Sequence, residues 1–169
     1  MKKNIFFIFI LSVFSFPGFS QNADSSLFKL PAVSLKTLDG VNTSSSSIAN
    51  DGKPVILIFW KSCCAPNIKM LDEINEVYAD WQEETGVILY AVSIDDSRSS
   101  SKIAPFVNGK AWDFVFLLDP NSDFARAMNV IATPHVFILN GTGQVVWQKT
   151  TYSPGDAAEI YKEVKNILK

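Results

Sequence analysis

Two continuous apolar runs, separated by a segment of helical length, constrain the fold of this chain more than any other feature. Residues 55–60 (VILIFW) and 87–94 (VILYAVSI) are apolar almost throughout, which is typical of strands buried on both faces of a parallel sheet. Between them, apolar residues recur every three or four positions from Ile68 to Trp81, acidic residues take the opposite face, and Gly86 follows. This spacing predicts one amphipathic helix that ends at the glycine. Strand, helix and strand together predict two parallel strands joined by a right-handed crossover.

The rest of the chain continues the alternation of strands and helices. Alternating apolar residues from Val33 to Leu38, followed by Asp39-Gly40, predict an N-terminal β-hairpin. The later segments predict, in order, a helix through 103–107, a strand at 114–118, a short helix at 124–128, paired strands at 136–139 and 145–147, and a last helix that opens at 153–156. We therefore predict an α/β fold with a central mixed β-sheet flanked by helices, an N-terminal hairpin extension, and one domain over residues 30–169.

Residues 1–20 are predicted to be a secretory signal peptide. Two lysines precede an apolar run from Ile5 to Phe16, and small residues at positions 18 and 20 suit cleavage after Ser20. The run is short for a membrane span, so an integral membrane protein is not expected. Residues 21–29 are predicted to form a flexible leader. Export predicts a periplasmic or other extracytoplasmic location, where thiols tend to oxidise.

The balance of charge argues against a nucleic-acid partner. The chain has 15 basic and 17 acidic residues, and removal of Lys2 and Lys3 with the signal peptide leaves 13 basic against 17 acidic, a net charge of −4. The sequence also lacks a basic run. Binding to nucleic acid depends on such charges, and it is therefore not expected.

The candidate chemistry lies at two adjacent cysteines. Cys63 and Cys64 directly follow the strand at 55–60 and precede a helix that has Pro66 in its first turn. Backbone N–H groups and the positive end of the helix dipole are expected to point at Cys64 and to lower its pKa below the free value of about 8.5. Consecutive Cα atoms lie about 3.8 Å apart, whereas ordinary disulfides span roughly 4.4–6.8 Å. A reactive thiol is therefore expected here, and a stabilising disulfide is not.

The segment FWKSCCAPN at 59–67 resembles the motif Phe-Trp-Ala-Thr-Trp-Cys-x-Pro-Cys of the thioredoxin superfamily, in particular of exported TlpA-type thiol–disulfide oxidoreductases, which are related to the redoxins. AVSIDD, FLLDPNSDFARAMNV and IATPHVFILNGTGQVV resemble that family's later segments and follow in the same order. The resemblance covers residues 30–169. It implies a thioredoxin-like fold, no cofactor, and protein or small-molecule thiols and disulfides as partners; it does not identify the reducing partner.

The resemblance also implies a role for individual residues. Cys64 matches the attacking cysteine, and Cys63 stands in the place of the tryptophan before it. Thr133 and Pro134 match the cis-proline loop, which faces the attacking cysteine and binds the substrate backbone. Trp60, Pro66 and Asn67 complete the implied substrate-binding surface.

Three departures from the family pattern agree with one another. Asn67 stands where the resolving cysteine is expected, Ile58 where thioredoxin has a buried aspartate, and Met70 where TlpA-type proteins have a glutamate. Both carboxylates handle protons for the second cysteine, so a chain without that cysteine has no use for them. We therefore predict a degenerate Cys-x-x-Asn site, in which Cys64 is a single attacking thiol and an external thiol or Cys63 releases the product.

Two other classes of function are compatible with the sequence. A redox-inert module could hold an extended peptide in the cis-proline groove by β-addition. Alternatively, Cys63, Cys64 and His135, the only histidine, could bind a soft metal such as Cu(I). Asp95 and Asp96 follow a strand on the same side of the sheet and are interpreted as a solvated pair of loop carboxylates.

Overall fold

The computed structural model describes residues 28–49 and 51–169. The predicted signal peptide and most of the predicted leader lie outside the described residues. Among the helices of the described part, none is long and apolar enough to cross a membrane.

The described chain contains seven strands and five α-helices. The strands are β1 (Ser34–Thr37), β2 (Asn42–Ser44), β3 (Val55–Trp60), β4 (Ile88–Ser93), β5 (Val115–Leu118), β6 (His135–Leu139) and β7 (Val145–Thr150). The helices are α1 (Ala65–Asn75), α2 (Tyr78–Thr85), α3 (Ile103–Lys110), α4 (Asp123–Ala127) and α5 (Asp156–Ile167). The predicted α/β class is therefore confirmed.

All seven strands belong to one mixed sheet in the order β2-β1-β5-β4-β3-β6-β7. β3, β4 and β5 run parallel, and the predicted hairpins add antiparallel strands at both edges, β1 beside β5 and β6 beside β3. The first of the two apolar runs, β3, has a hydrogen-bonded neighbour on each side. Its carboxyl end, where the cysteines follow, is therefore held inside the sheet, away from both edges.

Alternate side chains of β3 enter two different cores. Ile56, Ile58 and Trp60 pack with residues of α1, α2, α3 and α5, whereas the intervening Leu57 and Phe59 pack with α4 and the N-terminal segment. All six residues of the strand are buried. Burial on both faces explains why the run is apolar without alternation.

The single helix predicted between the two apolar runs is two helices. α1 ends at Asn75 and α2 begins at Tyr78, because Val77 has a non-helical backbone. The hydroxyl of Tyr78 accepts a hydrogen bond from the N–H of Leu89 at 2.9 Å, which ties the start of α2 to β4. The apolar spacing continues across the break, so the pattern could not reveal it. Gly86 does end the second helix, in the left-handed conformation (φ 64°).

Two boundaries also differ from the prediction. Phe28 and Lys29 were assigned to the leader, but the carbonyl of Phe28 accepts the N–H of Val145, and Lys29 forms a β-bridge with Gln144. These two residues therefore belong to the folded domain. The last helix was predicted to open at 153–156 with Pro154 as its first helical residue, but it begins at Asp156, after Gly155.

Candidate active site

The two cysteines lie in the short connection between β3 and α1. Cys64 caps α1 with an extended backbone (φ −114°, ψ 113°), and Pro66 stands in the first turn. The carbonyl of Cys64 accepts the N–H of Asn67 at 3.0 Å. Cys63 is exposed and Cys64 is half-buried, so both sulfurs are at the surface end of the strand.

The sulfur atoms of Cys63 and Cys64 are in contact. Their Sγ atoms lie 3.2 Å apart, within hydrogen-bond distance for thiols and longer than the S–S bond of about 2.05 Å. Both thiols are reduced. Within the described residues, the side chain of Cys64 makes no capping hydrogen bond to the helix N–H groups. Its hydrogen-bond partner is instead the neighbouring thiol.

This contact raises the pKa of Cys64 above its ordinary value. The hydrogen bond with Cys63 is the largest cause, burial and the charge of Cys63 act in the same direction, and Asp95 adds a smaller increase that Lys61 opposes. The expectation of a lowered pKa is therefore wrong. It assumed that the sulfur meets the N–H groups of α1, whereas the sulfur shares a proton with its neighbour.

Asp95 is not the solvated loop carboxylate that the sequence indicated. It is buried, with 7% of its surface exposed, and its oxygens accept hydrogen bonds from Ser62 and Ser93. Asp96 does behave as interpreted: it is exposed, and hydrogen bonds, first from the N–H of Ser99, lower its pKa. The order of the two parallel strands could have indicated Ser62 and Asp95 as neighbours, since each follows the carboxyl end of its strand.

Two surface depressions meet at the cysteine pair. One, of about 350 Å³, contains Cys64, Thr133 and the exposed Ile131; the other, of about 330 Å³, contains Cys63 and Asp95. Three residues line both and form the wall between them: Lys61, Ile94 and Ser122. Each thiol therefore faces its own opening to solvent.

The loop that precedes β6 brings one of the predicted substrate-binding residues to Cys64. Thr133 lines the same depression as that cysteine, and the peptide bond between Thr133 and Pro134 is cis. Pro134 itself is buried, and its carbonyl accepts the N–H of Thr151. Pro66 is exposed at the start of α1.

Trp60 and Asn67 do not form part of an exposed binding surface. Both are fully buried, so their assignment to direct substrate contact is corrected. The ring of Trp60 packs edge-on against Trp112, with centroids 5.7 Å apart. Among the described residues, the indole nitrogen of Trp60 and both amide atoms of Asn67 have no hydrogen-bond partner. Both side chains therefore pack in the interior beneath the cysteine segment and do not face solvent.

The ring nitrogens of His135 contact two residues of β7. Its Nε2 lies 3.2 Å from Oε1 of Gln148 and its Nδ1 lies 3.3 Å from Oγ1 of Thr150, and burial lowers its pKa. The described part of the chain contains no group of three or more His, Cys, Asp or Glu placed to hold a metal ion. The Cu(I) alternative, which required His135 beside both cysteines, therefore has no support among the described residues.

The fold and the thiol pair at the start of its first long helix define a redoxin of the thioredoxin superfamily. The chain matches the AhpC/TSA family over residues 28–148. It therefore belongs to that family, and the resemblance stated from the sequence is confirmed.

Known relatives agree with this assignment. Sporulation thiol-disulfide oxidoreductase A of Bacillus subtilis is 31% identical over 147 residues, which cover 86% of this chain and 85% of that protein. Thiol-disulfide oxidoreductase ResA of Bacillus anthracis is 27% identical over 159 residues, 88% of this chain and 89% of that protein. A thioredoxin-like protein from Porphyromonas gingivalis superposes with a TM-score of 0.74 at 46% identity, covering 82% of this chain and 90% of the other. The thioredoxin-like fold is confirmed, and the relatives support an oxidoreductase.

Proposed function

We propose that this protein is a thiol–disulfide oxidoreductase whose attacking group is the thiol of Cys64. The observation that carries the proposal is the contact of two reduced thiols at the start of α1, with Cys64 lining a depression beside Thr133. The family membership and the named activities of the relatives support the reaction class.

The reaction begins with the thiolate of Cys64. It attacks one sulfur of a substrate disulfide, a Cys64–substrate disulfide forms, and the second substrate sulfur leaves as a thiolate. Asn67, at the usual resolving position, has no thiol. An external thiolate can then attack the substrate sulfur of the mixed disulfide, which forms a new disulfide between those two sulfurs and releases Cys64 as a thiolate. If the thiolate of Cys63 attacks instead, the substrate sulfur leaves and a Cys63–Cys64 disulfide remains, so the two electrons gained by the substrate come from the pair.

The raised pKa of Cys64 shapes how this thiol works. It reduces the fraction of thiolate at neutral pH. The thiolate that does form is the stronger nucleophile, since nucleophilicity rises with thiol pKa. The charge of Lys61 acts in the opposite direction and favours ionisation.

The location and the substrates of the protein follow from the same proposal. The signal-peptide pattern at 1–20 supports export, so the site would work outside the cytoplasm, where disulfides accumulate. The substrates would be disulfides or thiols of proteins or small molecules. The catalytic unit would be the thioredoxin-like domain from residue 28 onward, where the family match begins.

Incubation with oxidised glutathione tests the proposal. Wild-type protein is expected to gain one adduct of about 305 Da on Cys64, reversed by dithiothreitol. Cys64→Ser should abolish the adduct, and Cys63→Ser should keep or increase it because it removes the thiol that could displace glutathione. Fragmentation between residues 63 and 64 assigns the modified sulfur. An adduct on Cys63 alone would refute the attacking role of Cys64, and complete absence of an adduct would favour the peptide-binding alternative.

A further inference from the structure

We propose that Asp95 is a positioning residue that holds the cysteine loop in its reactive geometry. The inference rests on the proposed function, because it concerns how Cys64 is presented for attack. Asp95 lies in the segment AVSIDD, 31 positions after Cys64 and outside the cysteine motif at 59–67.

The parallel pairing of β3 and β4 brings Asp95 to the loop. Trp60 at the end of β3 pairs with Ser93 at the end of β4, and the N–H of Ile94 donates to the carbonyl of Trp60 at 3.0 Å. The chain beyond β3 and the chain beyond β4 therefore leave the sheet side by side. Asp95 and Ser62 each lie two residues beyond these paired strand ends.

The carboxylate of Asp95 holds Ser62 by both its backbone and its side chain. The N–H of Ser62 donates to Oδ2 at 3.0 Å, and its hydroxyl donates to Oδ1 at 2.8 Å. The hydroxyl of Ser93 donates to Oδ2 at 2.7 Å and fixes the carboxylate from the side of β4. Hydrogen bonds to a charged acceptor are roughly twice as strong as those between neutral groups. Two such bonds to one residue fix both the position and the direction of the backbone there.

This attachment determines how the two thiols meet. Ser62 immediately precedes Cys63, so the backbone that Asp95 fixes is the one that enters the cysteine pair. The other end of the loop is fixed by α1, which begins after Cys64. With both ends held, the Sγ atoms keep their 3.2 Å contact.

The charge of Asp95 has a second effect on the same thiol. It raises the pKa of Cys64, as the hydrogen bond from Cys63 does, whereas Lys61 lowers it. The remaining charged group in the Cys64 depression is Arg126 of α4, which forms an ion pair with Asp123. Asp95 therefore orders the loop and restrains ionisation, and different substitutions can separate these two effects.

Two neighbouring carboxylates supply matched controls. Asp119 is as deeply buried as Asp95 and also follows a strand, but its oxygens accept the N–H groups of Asp123 and Ala125 in α4. Asp96 is the adjacent residue; it is exposed and bonded within its own loop to Arg98 and Ser99. In the part of the chain that the structure describes, the side chain that accepts hydrogen bonds from Ser62 is that of Asp95, not of Asp119 or Asp96. Asp119→Asn reports the effect of losing a buried carboxylate elsewhere in the fold. Asp96→Asn reports the effect of losing an exposed negative charge next to Asp95.

The first measurement is the pH profile of Cys64 alkylation by iodoacetamide in the full chain. Asp95→Asn keeps an acceptor for the Ser62 N–H and can donate to the Ser62 hydroxyl, while the charge is lost. We expect its Cys64 to react about two- to fivefold faster at pH 7, with the profile displaced to lower pH. Asp96→Asn and Asp119→Asn should leave the profile in place.

The second measurement is the plateau rate of adduct formation with oxidised glutathione, at a pH where Cys64 is fully ionised. Asp95→Ala removes every acceptor and should lower this rate about tenfold, because the thiol is no longer held in place. Asp95→Asn should retain the wild-type plateau. Ser62→Ala should lower the plateau rate by an intermediate amount, and Ser62→Thr should restore it. If urea unfolding shows that Asp95→Ala does not fold, the two Ser62 variants provide the test.

The outcomes separate this inference from the proposed function. Alkylation reports on Cys64 whether or not the protein exchanges disulfides, so a missing glutathione adduct refutes the function while the alkylation profile still tests Asp95. An unchanged profile in Asp95→Asn, or an equal displacement in Asp119→Asn, would overturn the effect of the Asp95 charge on Cys64. Wild-type plateau rates in both Asp95→Ala and Ser62→Ala would overturn the positioning role of Asp95.

Discussion

Asn67 occupies the usual place of a resolving cysteine, and its replacement by leucine should stabilise the protein. It is the third residue of α1 and is fully buried, and neither amide atom has a hydrogen-bond partner among the described residues. Leucine has the same branched skeleton but carries methyl groups in place of the amide nitrogen and oxygen. The substitution Asn67→Leu therefore removes the unpaired polar atoms and keeps the shape of the side chain.

The expected magnitude follows from three terms. A buried amide without a partner costs about 1–3 kcal/mol in protein mutational data, and leucine is favoured over asparagine within a helix by about 0.5 kcal/mol. The slightly larger methyl groups oppose this gain by about 1 kcal/mol where packing is tight. We expect the free energy of unfolding to rise by about 0.5–2.5 kcal/mol, which corresponds to an increase in Tm of about 1.5–7.5 °C for a domain of this size.

Equilibrium unfolding in urea under reducing conditions measures the change. A matched control is Asn140→Leu, because Oδ1 of Asn140 accepts hydrogen bonds from the N–H groups of Thr142 and Gln144, both at 3.0 Å. That variant should lose about 1–3 kcal/mol, opposite in sign to Asn67→Leu. Destabilisation of Asn67→Leu by more than about 1 kcal/mol, at an unchanged slope, would refute the reasoning by showing that the amide is satisfied in solution.

Two further predictions concern catalysis and pH. Asn67→Cys restores the dithiol spacing and should accelerate insulin reduction by dithiothreitol about tenfold over wild type. The rate should still stay below that of an ordinary dithiol reductase, because the buried Ile58 and Met70 offer no proton acceptor. A wild-type rate equal to that of the variant would instead make Cys63 an efficient resolving thiol. Burial lowers the pKa of His135, so the unfolded chain binds its proton more readily, and stability should fall as pH drops below about 6.5. Urea unfolding between pH 5 and 8 should show this fall in wild type and a smaller one in His135→Gln; equal slopes would contradict it.

The fold was predictable because its strongest signals are local. Val55–Trp60 is uniformly apolar because both faces of the strand are covered. The turn residues Asp39-Gly40 predict the first hairpin. The break at Val77 was not predictable, because residues on both sides keep the same apolar spacing. It depends on a contact between Tyr78 and Leu89 that only the folded chain brings together.

The site was predictable in its position and not in its electrostatics. A thiol that caps a helix after a central strand can be recognised from the order of the residues. What sets its pKa is the neighbouring sulfur at 3.2 Å and the carboxylate of Asp95. Sequence shows that Asp95 carries a charge, but not that Ser62 and Ser93 surround it. The partner of a polar group, more than its type, decides whether it is solvated or buried.

The exposed position of Cys63 explains why the site can lack three groups at once. In a Cys-x-x-Cys site the second thiol lies within the helix, at the position of Asn67, and a buried thiol needs a nearby base to take its proton. Here that position is fully buried and the core residues Ile58 and Met70 are apolar. The remaining thiol lies on the opposite side of Cys64, outside the helix and open to solvent. Water can accept a proton from an exposed sulfur, and an external thiol can reach it, so release on this side requires no buried carboxylate. On the mechanism we propose, the absence of the resolving cysteine and of both carboxylates is one change: product release would take place on the solvent side of Cys64 instead of its helix side.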